Sequence, residues 1–94
     1  MRPFNAKRGE VLATLGGQSV RLCVTLGALA ELESYFDVSG FEALGDCLKR
    51  LGAADLQAVL AALVVDDSDI SRLDIAFPEA IRAVVAAFEA MNGH

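Results

Sequence analysis

The residues of this 94-residue chain with types suited to chemistry are two cysteines, one histidine and a run of aspartates. Cys23 and Cys47 form no CxxC and have no histidine beside them, so zinc lacks ligands at workable spacing. A structural disulfide is disfavoured in a reducing compartment, and both thiols read as small core or surface residues. The only histidine, His94, is the last residue of the sequence. A Ser-His-Asp or Cys-His device needs its imidazole held within hydrogen-bonding reach, which a fraying end does not provide. The aspartates Asp66, Asp67, Asp69 and Asp74 invite a calcium reading. Counted from Asp67, an EF-hand loop would need glycine where Arg72 stands and glutamate where Pro78 stands. That motif fails, and a solvated loop between helices is expected instead. No GxxxxGK[ST] loop is present, and Glu31 and Glu33, two apart, do not share a helix face. No catalytic, cofactor-binding or metal-binding residue is assigned, and the chain reads as a non-enzyme without cofactors.

The length suits a single domain, residues 1–94. Apolar residues make up 54% and charged ones 22%, a globular balance rather than a disordered one. Against 13 acidic residues stand 8 basic ones, giving −5. Counterion release needs clustered lysine and arginine, so nucleic acid is excluded as an expected partner, and an anionic membrane surface with it. The longest uncharged apolar run, Leu56 to Val65, is half of the roughly 20 residues a membrane span needs. The first residues lack the apolar stretch of a signal peptide. The expected location is cytoplasmic. For so small a domain a mean hydropathy of +0.44 is high, which implies a tight core or an apolar patch covered by a partner.

The elements that position these residues form an α+β fold: an N-terminal two-stranded β-hairpin (9–25) packed on a bundle of about four α-helices (26–92). Glu10 to Leu15 and Gln18 to Thr25 are β-rich runs around Gly16-Gly17, which supply the positive φ of a two-residue hairpin turn. This turn sets Ala13 opposite Val20, Val11 opposite Leu22 and Gly9 opposite Val24 on one face. The other face carries Glu10, Thr14, Ser19, Arg21 and Cys23, with Leu12 as an apolar exception. A one-residue slip would mix the two sets. Glu10 and Arg21, diagonal across the pair, read as an ordinary surface ion pair.

Thr25 is the expected N-cap of a first helix with Leu26, Leu29, Leu32 and Phe36 at helical spacing. Ser39 with Glu42 fits a capping box for a second helix, whose stripe is Phe41, Leu44, Leu48 and Leu51, ended by Gly52 in the left-handed conformation. A third helix, about Ala53 to Val65, has the stripe Leu56, Val59, Leu60 and Leu63. It is nearly apolar all round, which means central burial or partner contact. Ile70 to Ile75 forms one helical turn. Pro78 opens the last helix, with Ile81, Val84, Val85, Phe88 and Met91 as its stripe, and Asn92-Gly93 stops it.

Asn5-x-x-Arg8-Gly9-Glu10, the glycine-turn hairpin and Leu22-Cys23-x-Thr25-Leu26-Gly27-Ala28-Leu29-Ala30-Glu31-Leu32-Glu33 resemble the small tail-assembly protein of gene transfer agents and related tailed phages. Ala53-Ala54-Asp55-Leu56-Gln57-Ala58-Val59-Leu60 and Glu79-Ala80-Ile81-Arg82-Ala83-Val84 resemble its later helices, and the segment from Val65 to Phe77 matches least. The resemblance implies a tail assembly chaperone that binds the tape-measure protein, or another tail protein, during tail morphogenesis. Alternatives are a structural tail component retained in the particle and a small acidic carrier or regulatory domain. For the last of these, Asp67-Ser68 is similar to the phosphopantetheine site of acyl carrier proteins. Here, however, the serine follows the third helix and a hairpin leads the chain. The expected partner surface is the last helix, where Ala83 and Ala87 leave a low-charge strip beside Ile81, Val84 and Phe88. Self-association through that strip is the further contact considered, and the third helix is next in line.

Overall fold

The computed structural model describes residues 9–66 and 69–91. Among them the chain forms strands β1 (Val11–Leu15) and β2 (Gln18–Leu22), then helices α1 (Leu26–Phe36), α2 (Phe41–Leu48) and α3 (Ala53–Leu63). A 3₁₀ turn (Ile70–Arg72) and helix α4 (Phe77–Met91) follow. The architecture is α+β, a hairpin on four helices.

The hairpin has the register its turn dictates. Gly16 and Gly17 adopt φ of 58° and 84°, the pair of positive angles that matches the right-handed twist of flanking strands. Val11 pairs with Leu22 and Ala13 with Val20. Leu15, Val20 and Leu22 are fully buried against the helices, which is what a lone two-stranded ribbon needs to be stable. The opposite face is only partly solvated: Leu12, Thr14 and Ser19 near the turn are exposed, whereas Glu10, Arg21 and Cys23 at the open end are buried. The expected surface ion pair of Glu10 and Arg21 is therefore corrected. Arg21 is 6% exposed, and its Nε has no hydrogen-bond partner.

The chain after α3 explains part of this enclosure. The third helix stops at Leu63 rather than Val65, because Val64 leaves it to bridge Leu22. Cys23 N–H donates to the Leu63 carbonyl at 2.9 Å and Val65 N–H to the Arg21 carbonyl at 3.0 Å. Arg21 N–H donates to Asp66 Oδ2 at 2.9 Å. The free edge of β2 is thus taken up by main chain and a carboxylate, which answers the exposed-edge problem of a small sheet.

Helix ends follow local chemistry. Thr25 Oγ1 accepts from Ala28 N–H at 3.0 Å, as its type predicts. Asp37 closes α1 in the left-handed region. The expected Ser39 cap of α2 is corrected: Gly40, at φ 96°, holds the N-cap position without a side-chain bond. The Gly40 N–H donates instead to Glu33 Oε2 of α1 at 2.9 Å. The second helix ends at Leu48, and Gly52 is extended and begins α3, its N–H donating to Asp55 Oδ2 at 3.1 Å. A carboxylate at the third helical position satisfies an early donor and suits the helix dipole.

α3 is the central element, with Leu56, Val59, Leu60 and Leu63 all buried, and it packs on α1, the 3₁₀ turn and α4. α4 packs across β1. Its first turn lies by the hairpin turn, where Gly16 N–H donates to Glu79 Oε1. Its last turn lies by Gly9, where an added Cβ would come within 3.4 Å of the Ala90 carbonyl oxygen. Helix and strand therefore run antiparallel in close contact.

Candidate partner-binding surface

The alanine strip of α4 lies on the inner side of the helix. Ala87 is 0% and Ala83 6% exposed, and Ala80 and Val84 are buried with them. Ile81 and Phe88 are half-buried against the same core, while Arg82, Val85 and Glu89 face outward. The expectation that Ala83 and Ala87 form an accessible strip is corrected. The physical reason is that α4 packs on both β1 and α3: methyl side chains on its inner face let the helix lie close to them, and larger ones would hold it away. The leucine-rich pattern was a poor guide at helix starts too. Leu26, the first residue of α1, is 86% exposed, and Phe41, the first of α2, is about half exposed.

Open apolar relief flanks α3 instead. On one side, Leu56, Leu60, Ile70, Leu73, Ile75 and Phe77 line a depression of about 310 Å³ between α3, the 3₁₀ turn and the start of α4. On the other, α1 and α3 enclose a shallow groove of about 470 Å³. Its α3 wall is Ala58, Ala61 and Ala62, and its α1 wall is Glu31, Leu32, Ser34 and Tyr35. Ala58, Ala61 and Ala62, like Glu31, Ser34 and Tyr35, follow helical i, i+3, i+4 spacing, which puts each trio on one face of its helix. At the neighbouring Asp55, the Tyr35 hydroxyl donates to Oδ1 at 3.0 Å. This hydrogen bond to a carboxylate raises the Tyr35 pKa above its ordinary value, with slight burial and the Asp55 charge acting in the same direction. The Tyr35 ring meets Phe36 edge-on, with centroids 4.9 Å apart and an interplanar angle of 89°. The sequence signal for this groove was the apolar all-round composition of α3, whose alanines sit off the leucine stripe.

The residues first considered for chemistry take structural places. Cys23 is buried and Cys47 half-buried, and neither is in a disulfide. Asp69 Oδ1 accepts from the Ser71 N–H at 3.1 Å and the Ser71 hydroxyl at 2.6 Å, capping the 3₁₀ turn. Those bonds favour the charged form and lower the Asp69 pKa. Asp66 serves the edge of β2. Asp67, Ser68, Asn92, Gly93, His94 and the resemblance residues Asn5 and Arg8 lie outside the described residues. Among the described residues no helix is long and apolar enough to cross a membrane, and no group of three or more His, Cys, Asp or Glu side chains could hold a metal ion.

A family model described as phage tail tube protein, GTA-gp10, matches residues 8–91. The chain belongs to this family. The match takes in the hairpin and all four helices, including the segment 65–77 that carried the weakest resemblance. It places the chain among tail proteins of phages and gene transfer agents, with a tail-related role and other tail proteins as its natural contacts. Comparison with curated proteins and with solved structures returns no match.

Proposed function

We propose that the chain is a non-enzymatic assembly factor that binds the tape-measure protein, or another tail protein, while the tail is being built. The observation that carries this reading is the closure of its small sheet. β2 is edged by Val64 and Asp66, which leaves, among the described residues, only the five-residue edge of β1, a strand on which α4 packs, for copies to add strands to. What the surface does offer is helical relief, with open apolar grooves on both sides of α3. A tape-measure protein, long and helical, exposes apolar seams before a tube encloses it, and a helix-in-groove contact would cover them. The net charge of −5 would help keep such a complex in solution.

A second reading is supported by the family's own description, which names a tail tube protein: the chain would then stay in the finished particle as a structural component. Mass spectrometry of purified particles, paired with affinity purification of the chain co-expressed with neighbouring tail genes, separates the two. Capture of the tape-measure protein with the chain absent from finished particles is the expected result. The chain present at stoichiometric amounts in particles would replace this reading with the second.

A further inference from the structure

We infer that the groove between α1 and α3 seats a partner helix that lays small residues on the alanine wall and sets a lysine or arginine beside Glu31. This rests on the tail-assembly reading and states what the tail partner presents.

Shape is the first part of the argument. Ala58, Ala61 and Ala62 carry only methyl groups, so α3 leaves room beside the longer side chains of Glu31 and Tyr35, with buried Leu32 between. Packed helices approach to about 8–10 Å according to the side chains at the contact, and an alanine wall admits the closer approach.

Charge selects the occupant. α1 and α3 together carry Glu31, Glu33 and Asp55 and no lysine or arginine. Glu33 is engaged by Gly40, and Asp55 by Gly52 and Tyr35. Glu31 stands on the groove wall, exposed, with no hydrogen bond or ion pair among the described residues. Arg50 lines a separate depression with Phe36 and Asp55. Lys49 and Arg72 are paired with Asp46 and Asp69 at 3.8 and 3.7 Å. A second copy, bringing another −5, would set like charges against this wall, which disfavours it as occupant. Nucleic acid is opposed by the same sign. A helix that lays an apolar stripe on the alanine wall and sets a cation beside Glu31 meets the floor and the charged rim together.

The test is an NMR titration of the full chain with a synthetic amphipathic helical peptide, its alanine stripe flanked by lysines, beside a twin with glutamates in their place. The lysine peptide is expected to shift the amides of Glu31, Tyr35, Ala58, Ala61 and Ala62 and to weaken as salt is raised. Glu31→Lys and Ala61→Glu, both at exposed positions, should each weaken it about tenfold with the melt unchanged. Equal binding of both peptides, shifts confined to other elements, or no binding overturns the inference. In co-expression, capture of the tape-measure protein by wild type and equally by both variants also overturns the groove while the tail reading stands. A wild-type chain that binds the lysine peptide in the groove but captures no tail protein keeps the groove and removes the tail reading.

Discussion

The Gly16 N–H donates to Glu79 Oε1 at 2.9 Å across 63 positions of sequence. One carboxylate thus fastens the hairpin turn to the first turn of the last helix, where negative charge also suits the helix dipole. Glu79→Ala removes both effects. A loss of about 1 kcal/mol is expected for a solvent-accessible bond of this kind, seen as a melting point lower by about 4–8 °C in a domain of this size. A melt within error of wild type would mean the bond is not held in solution.

The inner face of the hairpin should behave as core. Leu22 is 0% exposed, so Leu22→Ala should cost about 2–5 kcal/mol through lost burial and a residual cavity. Chemical denaturation measures this directly. An unchanged midpoint would remove the hairpin from the core.

Substitutions on α4 should split by face. Ala83→Glu and Ala87→Glu place a carboxylate in the buried face of α4, where an unpaired charge is strongly unfavourable, and both variants should lose the cooperative melt. Val85→Glu, on the outward face, should keep it within about 0.5 kcal/mol. Circular dichroism of the three variants decides the matter, and a well-folded Ala87→Glu would contradict the burial of this face of α4.

Tyr35 is the single tyrosine of the chain, so its ionisation can be followed by absorbance without interference. Its pKa should lie above 10.0 because the Asp55 carboxylate accepts its proton in a hydrogen bond. With the folded pKa above the unfolded one, the contribution of this pair is complete below about pH 10 and is lost as pH rises through the folded value. Asp55→Ala should return the titration toward the ordinary value, and a midpoint that does not move would show that the bond is not formed.

Much of the fold could be read from residue order because local chemistry and packing agree there. Gly16-Gly17 and the alternation of Val11, Ala13, Val20 and Leu22 specify one register, and Thr25 caps the helix it precedes. Failures occurred where a distant segment decided the outcome. Val64 looks helical locally but is drawn off by the edge of β2. Gly40 takes the cap position expected of Ser39, because Glu33 of the preceding helix reaches its N–H. Ala83 and Ala87 are buried for a related reason: alanine is equally suited to a solvent face and to a close packing contact, and only the positions of β1 and α3 around α4 distinguish them. The groove at Ala58, Ala61 and Ala62 was legible only as a helix with too little polar surface.

Closure of β1 by α4 also orders events in time. Gly9 meets Ala90 and Gly16 meets Glu79, so the first strand is covered by the last helix. During synthesis, which proceeds from the N-terminus, the ribbon can form within microseconds of its emergence. The part of its apolar face that α4 covers stays bare until residues near 90 have left the ribosome. The helices between form local contacts meanwhile, but the slow, sequence-distant pairing comes last. A nascent chain stalled before α4 would therefore present that face to proteases and general chaperones.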